Sequence, residues 1–218
     1  ALEAQFNVAR LYMIKKDYEK ARAYLKTMLS SYRELPGVLA ETLFLIGNSY
    51  EAQDNWQAAL EQYKKIEQDY PLTLRGMDIP IYIAIHYQIK YDPEKMVEAF
   101  RQAVIHYKQL AAEHPNTPLA LNAEGLAAHC YVAMKEWQNA IRAFNAIIEK
   151  YKDKVNTDRI MFGVAMIYDQ QLKNRTKAIE TLQVLIKEYP KSPLLKPATE
   201  QLKKLEKDAA SQGSKPAE

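Results

Sequence analysis

The sequence predicts an all-α solenoid of about five helical hairpins closed by a C-terminal capping helix. Three observations carry this. An alanine recurs at Ala21, Ala59, Ala103, Ala140 and Ala178, with gaps of 38, 44, 37 and 38 residues, a period that belongs to stacked helical hairpins. A large apolar residue follows each alanine by four positions and another by seven, which keeps all three on one helix face. The chain also carries only 6 Gly against 15 Tyr, too few glycines for hairpin-rich β folds or phosphate-cradling loops.

The first repeat, residues 2–36, pairs Ala9 and Tyr12 on one helix with Ala21, Leu25 and Met28 on the next, and Pro36 reads as its stop. The second, 40–73, places Gly47 and Tyr50 before "NWQAALEQYKKIEQDYP", residues 55–71, where Ala59, Tyr63 and Ile66 share a face and Pro71 ends the helix. A small residue three before each tyrosine lets the paired helices approach closely, and the tyrosine fills the space beside it. The third repeat, 77–117, departs from this pattern: Ala103 follows Ala84 by 19 residues where the first, second and fourth use 12. Seven extra residues, "KYDPEKM", amount to about two helical turns. Asp92 as cap and Pro93 in the first turn predict a long second helix over about 93–113. Such a helix either alters the curvature of the stack or projects a ridge for a partner.

The fourth repeat, 121–154, reuses the second in "EWQNAIRAFNAIIEKY", with Ala128, Tyr131, Ala140, Phe144 and Ile147 in register and Lys152 where proline stands elsewhere. In the fifth, 158–192, Ala165 and Tyr168 precede Ala178, Leu182, Leu185 and Pro190, and one extra residue is assigned to the turn "LKNRT". Leu195, Ala198, Leu202 and Leu205 fall on one face of a helix over about 194–207, which covers the apolar end of the stack. Residues 208–218, "DAASQGSKPAE", read as a disordered tail.

Composition narrows the function. Of 218 residues, 30 are basic and 27 acidic, a near balance that gives nucleic-acid binding little support. The single cysteine, Cys130, cannot form an internal disulfide and reads as a buried apolar residue. No apolar run is long enough to span a membrane, and no signal peptide is visible. The chain opens already helical and uncapped, which reads as a trimmed start, so the missing targeting segment excludes nothing. His86, His106, His114 and His129 stand apart and lack cysteine partners, so no metal site and no cofactor is expected. No nucleophile elbow, Walker loop or His-Glu-x-x-His is present, and the chain is expected not to be an enzyme.

The recurring set of small residue, tyrosine, turn, alanine, large apolar residue and helix-ending proline resembles the tetratricopeptide repeat, over residues 2 to about 193. The resemblance implies a right-handed superhelix whose first helices line a concave surface that binds a protein or peptide. Carried onto this sequence, that surface comprises Phe6, Arg10, Phe44, Asn48, Glu51, Ile81, Ile85, Gln88, His129, Phe162 and Met166. Arg10 and Asn48 would hydrogen-bond a peptide, and Phe6 or Phe44 would take an apolar side chain. Arg10 and Arg159 lie at opposite ends, so the clamp of lysines and arginines found in binders of acidic chaperone tails is missing. "DYPLTLRG", "EHPNTPLALNA" and "EYPKSPLLKPA" are similar to linkers of the bacterial envelope subset of these repeats, which includes the lipoprotein of the outer-membrane β-barrel assembly machine. That likeness implies a periplasmic or outer-membrane-associated complex. A self-association module is the alternative reading.

Overall fold

A computed structural model describes residues 2–213, with side chains through residue 208. Helices α1 (Leu2–Ile14), α2 (Tyr18–Ser31), α3 (Pro36–Glu51), α4 (Trp56–Asp69), α5 (Leu74–Ile89) and α6 (Pro93–Glu113) are followed by α7 (Pro118–Ala133), α8 (Trp137–Tyr151), α9 (Asp158–Met166), α10 (Arg175–Glu188) and α11 (Leu195–Gly213). Among the described residues there is no strand. The chain forms two compact units, Ala1–Ala103 and Val104–Glu218.

In the first unit the predicted register forms the core. Ala9, Leu25 and Met28 pack with Phe6, Leu45 and Ile46, and Ala59, Tyr63 and Ile66 pack with Leu43, Ile79 and Ile83. Gly47 lies against the ring of Tyr63, where even a methyl group would overlap it. In the second unit Ala140, Phe144 and Ile147 pack with Ala128 and Val164. Ala178, Leu182 and Leu185 pack with Ala198 and Leu205 of α11. The capping role read for α11 is therefore carried by those two side chains.

The hairpin turns share one geometry. The N–H groups of Asp17, Asn55, Asp92 and Glu136 donate to the carbonyls of Tyr12, Tyr50, Tyr87 and Tyr131, each at 2.9 Å. The residue before each donor, Lys16, Asp54, Tyr91 or Lys135, has a left-handed backbone with φ of 58, 59, 54 and 59°. This is a helix C-terminus of Schellman type built without glycine. The recurring tyrosine thus marks a backbone position as well as a packing one. Side chains of Asp17, Asn55 and Asp92 then cap the next helix by accepting from Lys20, Ala58 and Lys95 N–H groups, satisfying donors that the first helical turn leaves open.

Four expectations are corrected. Pro36 does not stop the first repeat. It is the first residue of α3, where a missing N–H costs nothing and the fixed φ suits the helix. First helices accordingly begin at 36, 74 and 118, ahead of the repeat starts at 40, 77 and 121. The extra residue of the fifth hairpin is not in the turn: Ile167–Gln171 forms a π-helical turn, which absorbs one inserted residue inside the helix. Asn174 N–H then still reaches the Tyr168 carbonyl at 2.8 Å, after a left-handed Lys173. Finally, α11 runs to Gly213, because Asp208–Gln212 contains no proline or glycine and includes good helix formers. The predicted tail from 208 is helical to that point, and 214–218 lie outside the described residues.

The insert of the third hairpin also differs from its reading as 90–96: Lys90, Tyr91 and Asp92 form the common turn and cap, so the seven extra residues lie in α6 after Asp92. A seven-residue insertion returns the helix to nearly the same face, so Phe100, Ala103, Tyr107 and Leu110 are all buried.

Candidate partner-binding face

In the first unit, the helices α1, α3 and α5 are joined by polar side chains. Glu41 on α3 bonds Arg10 of α1 at 3.3 Å and Arg75 of α5 at 2.6 Å. The Arg75 guanidinium lies 3.8 Å over the Phe44 ring, Tyr82 meets the same ring in a T-shaped contact at 5.3 Å, and Tyr63 lies tilted against it at 5.8 Å.

Ten residues further along α3, at its C-terminal end, Glu51 is a hub. Its Oε2 accepts from the hydroxyls of Tyr63 and Tyr82, both at 2.6 Å, and its Oε1 lies 2.8 Å from His86 Nδ1. Asn48 Oδ1 lies 2.8 Å from the same Tyr63 hydroxyl, so its single proton is shared between Glu51 and Asn48. Burial and the bond to Glu51 push the Tyr82 hydroxyl up to about 12, and the same causes push Tyr63 higher. Both tyrosines are therefore neutral donors to the carboxylate at ordinary pH. Trp56 of α4 stacks flat on His86, with centroids 3.3 Å apart, and its indole N–H donates to the Tyr87 hydroxyl at 3.1 Å.

A cavity of about 420 Å³ opens on this hub, lined by Glu51, Asp54, Trp56, Tyr82, Ile85, His86, Ile89 and Lys90. Ile85 and Ile89 are 41 and 68 % exposed, one helical turn apart on α5. Two exposed aliphatic side chains beside a half-buried carboxylate and an aromatic wall make an amphipathic recess.

The sequence-predicted residues divide accordingly. Asn48, Glu51 and Ile85 meet at or beside the hub, Arg10 is exposed next to Glu41, Gln88 is exposed and Ile81 half-buried. Phe6 and Phe44 are buried in the core, so neither ring is free to receive a side chain. In the second unit His129 is exposed with its ring edge on Phe144 at 5.4 Å. Phe162 and Met166 are half-buried, Phe162 against the α10–α11 core. Sequence reading missed Trp56, Tyr82, His86, Glu41 and Arg75. Tyr82 and His86 lie on α5 four residues apart, one position beyond the rows that spacing singled out. That i, i+4 aromatic pair was the available signal.

Burial pushes the Cys130 thiol up to about 12, so it is not a thiolate at neutral pH. Among the described residues no group of three or more His, Cys, Asp or Glu side chains could hold a metal ion, and no helix is long and apolar enough to cross a membrane.

Models of the tetratricopeptide repeat match residues 1–70 and, separately, 126–154 and 160–192, together more than half of the chain. No curated protein matches it significantly. Among solved structures, a thermophilic tetratricopeptide protein of Thermus thermophilus is 16% identical with a TM-score of 0.51, covering 93% of this chain and 98% of that one. Tetratricopeptide-like repeats of a putative kinesin light chain from Podosopora anserina are 17% identical with a TM-score of 0.51, covering 88% and 96%. At these identities the likeness concerns the fold.

Proposed function

The chain belongs to the tetratricopeptide-repeat family, and from that premise we propose that it is a non-enzymatic scaffold binding a protein or peptide segment on the face of α1, α3 and α5. Tetratricopeptide arrays generally serve as protein–protein interaction scaffolds, which supports this class of function. The choice of face is carried by one observation: the open cavity at Glu51, flanked by the exposed Ile85 and Ile89. Aliphatic ledges beside buried polar anchors are what an amphipathic segment needs. Arg10 and the Asn48 amide supply hydrogen bonds at the rim, while Phe6 and Phe44 support the face from beneath. Corresponding first-helix residues His129, Phe162 and Met166 extend the proposal to the second unit.

A bacterial envelope complex, periplasmic or at the outer membrane, is the proposed setting. Support for it comes from the acid-aromatic-Pro-x-Ser/Thr linkers alone. Their Thr73 and Thr117 hydroxyls cap α5 and α7 by accepting from Gly76 and Ala120 N–H groups.

A second reading, self-association, draws on Val8, Leu11 and Ile14 of α1, which are exposed aliphatic residues along one helix. Solution mass separates the two. The direct test is partner capture by the wild-type protein beside Ile85→Asp, whose side chain lies outside the core. Loss of a captured protein by the folded variant supports the proposed face. An unchanged set of captured proteins removes it.

A further inference from the structure

We propose that the cavity at Glu51 takes an arginine side chain of the bound partner, an inference that rests on the binding face proposed above. The unit itself shows how it handles guanidinium groups. Arg75 lies over Phe44 at 3.8 Å and bonds the Glu41 carboxylate at 2.6 Å. Arg22 lies over Tyr50 at 4.4 Å and donates to Gln53 Oε1 at 2.5 Å and Ser49 Oγ at 3.2 Å. Each arginine pairs an aromatic face with an oxygen acceptor from a neighbouring helix. Guanidinium groups favour this combination because they are planar, weakly hydrated and able to stack while donating in plane.

The Glu51 cavity repeats those parts without an arginine of this chain. Tyr82, Trp56 and Glu51 all line it. An ionised carboxylate offers about four acceptor sites. Three are taken: Tyr63 and Tyr82 at Oε2, and His86 at Oε1. The remaining site is on Oε1, and Glu51 itself lines the cavity. A second carboxylate, Asp54, stands at the rim, 91 % exposed.

The two nearby cations do not fill the recess. Lys90 reaches Asp54 at 3.3 Å with 57 % of its side chain exposed, a screened surface pair that a ligand displaces at little cost. Arg75 is already balanced by Glu41. Ile85 and Ile89 offer an apolar track for the three methylenes of an incoming arginine. A lysine would reach the carboxylates, but it lacks the planar group that the Tyr82 and Trp56 walls favour.

Trp56 reports on the site directly. The chain has two tryptophans, so Trp137→Phe leaves Trp56 as the sole indole. This protein is titrated with acetyl-Leu-Arg-Leu-amide and with the same peptide carrying citrulline, which keeps the shape and removes the charge. The arginine peptide should give a saturable change in Trp56 fluorescence, and the citrulline peptide should bind roughly tenfold or more weakly, as expected for loss of a charge-assisted bond. Asp54→Asn alters an exposed carboxylate at a left-handed position that asparagine tolerates, and should weaken the arginine peptide alone. Glu51→Gln should abolish the preference for arginine over citrulline, with helicity checked by circular dichroism. Equal binding of both peptides, or no Trp56 response to either at millimolar concentration, overturns the inference. If that happens while Ile85→Asp still loses the captured partner, the face stands and only its arginine preference falls. If Ile85→Asp also leaves capture unchanged, both fall.

Discussion

The hydroxyl of Tyr63 lies 2.6 Å from Oε2 of Glu51, which ties a fully buried core ring of α4 to the surface recess of α3 and α5. Removing the acceptor therefore reaches the core. Glu51→Ala should lower unfolding stability by about 2–4 kcal/mol, since it takes the acceptor from Tyr82 and His86 and leaves the Tyr63 hydroxyl only Asn48. Tyr63→Phe removes one donor, leaves the carboxylate its other two, and should cost about 1 kcal/mol. Denaturant midpoints of the two variants check the order. A larger loss from Tyr63→Phe would contradict the hub.

Glycine substitutions should split by site. Gly47→Ala drives a methyl group into the Tyr63 ring, and the ring is held by Asn48 and Glu51, so it cannot swing aside. Overpacking of this kind costs about 1–3 kcal/mol. Gly125 lies inside α7 with nothing within 4 Å of an added Cβ, so Gly125→Ala should instead gain about 0.5–1 kcal/mol from helix propensity. Thermal melts of both variants decide this.

The small-residue register behind those opposite signs was legible in the sequence because it is local. Gly47 and Tyr63 belong to one hairpin and sit at fixed offsets. The same holds for the Ala–x₃–Leu/Tyr/Phe core and for the cap at Asp92. What escaped was set between hairpins. Nothing in a repeat pattern says that Tyr82 and His86 of α5 turn toward Glu51 of α3, or that Arg75 covers Phe44. The row that holds Phe44 belongs to the first-helix surface, yet Arg75 and Tyr82 close over its ring. The π-helical turn at Ile167–Gln171 escaped for a different reason: spacing reveals that one residue was inserted, while the helix decides where to place it.

Left-handed positions without glycine offer a stabilising change. Lys135 holds φ at 59° at the end of α7, where a Cβ is strained by about 1–2 kcal/mol. Lys135→Gly removes that strain at the cost of a more flexible unfolded chain, for a net gain of about 0.5–1 kcal/mol. Equilibrium unfolding of this variant should show a higher midpoint with an unchanged slope.

Alkaline pH should loosen the first unit. Tyr82 is raised from 10.0 to about 12 and Tyr63 is raised further, by burial and by Glu51. The folded state thus holds these protons more tightly than the unfolded one, so the stability they contribute is complete below pH 10 and falls as pH rises toward 12. Denaturant midpoints on either side of pH 10 should show this fall, and Tyr82→Phe should make it shallower. An identical slope in the variant would mean that other groups govern the alkaline limb.

The central claim, that the partner lies on the face of α1, α3 and α5, is tested most directly by site-specific photo-crosslinking. A photoreactive residue is placed at Ile85, at Arg10 and, as a control, at Lys65, an exposed position on α4. The proposed face predicts a partner adduct from Ile85 and Arg10 and none from Lys65. An adduct confined to Lys65 would place the partner on the second helices and contradict it.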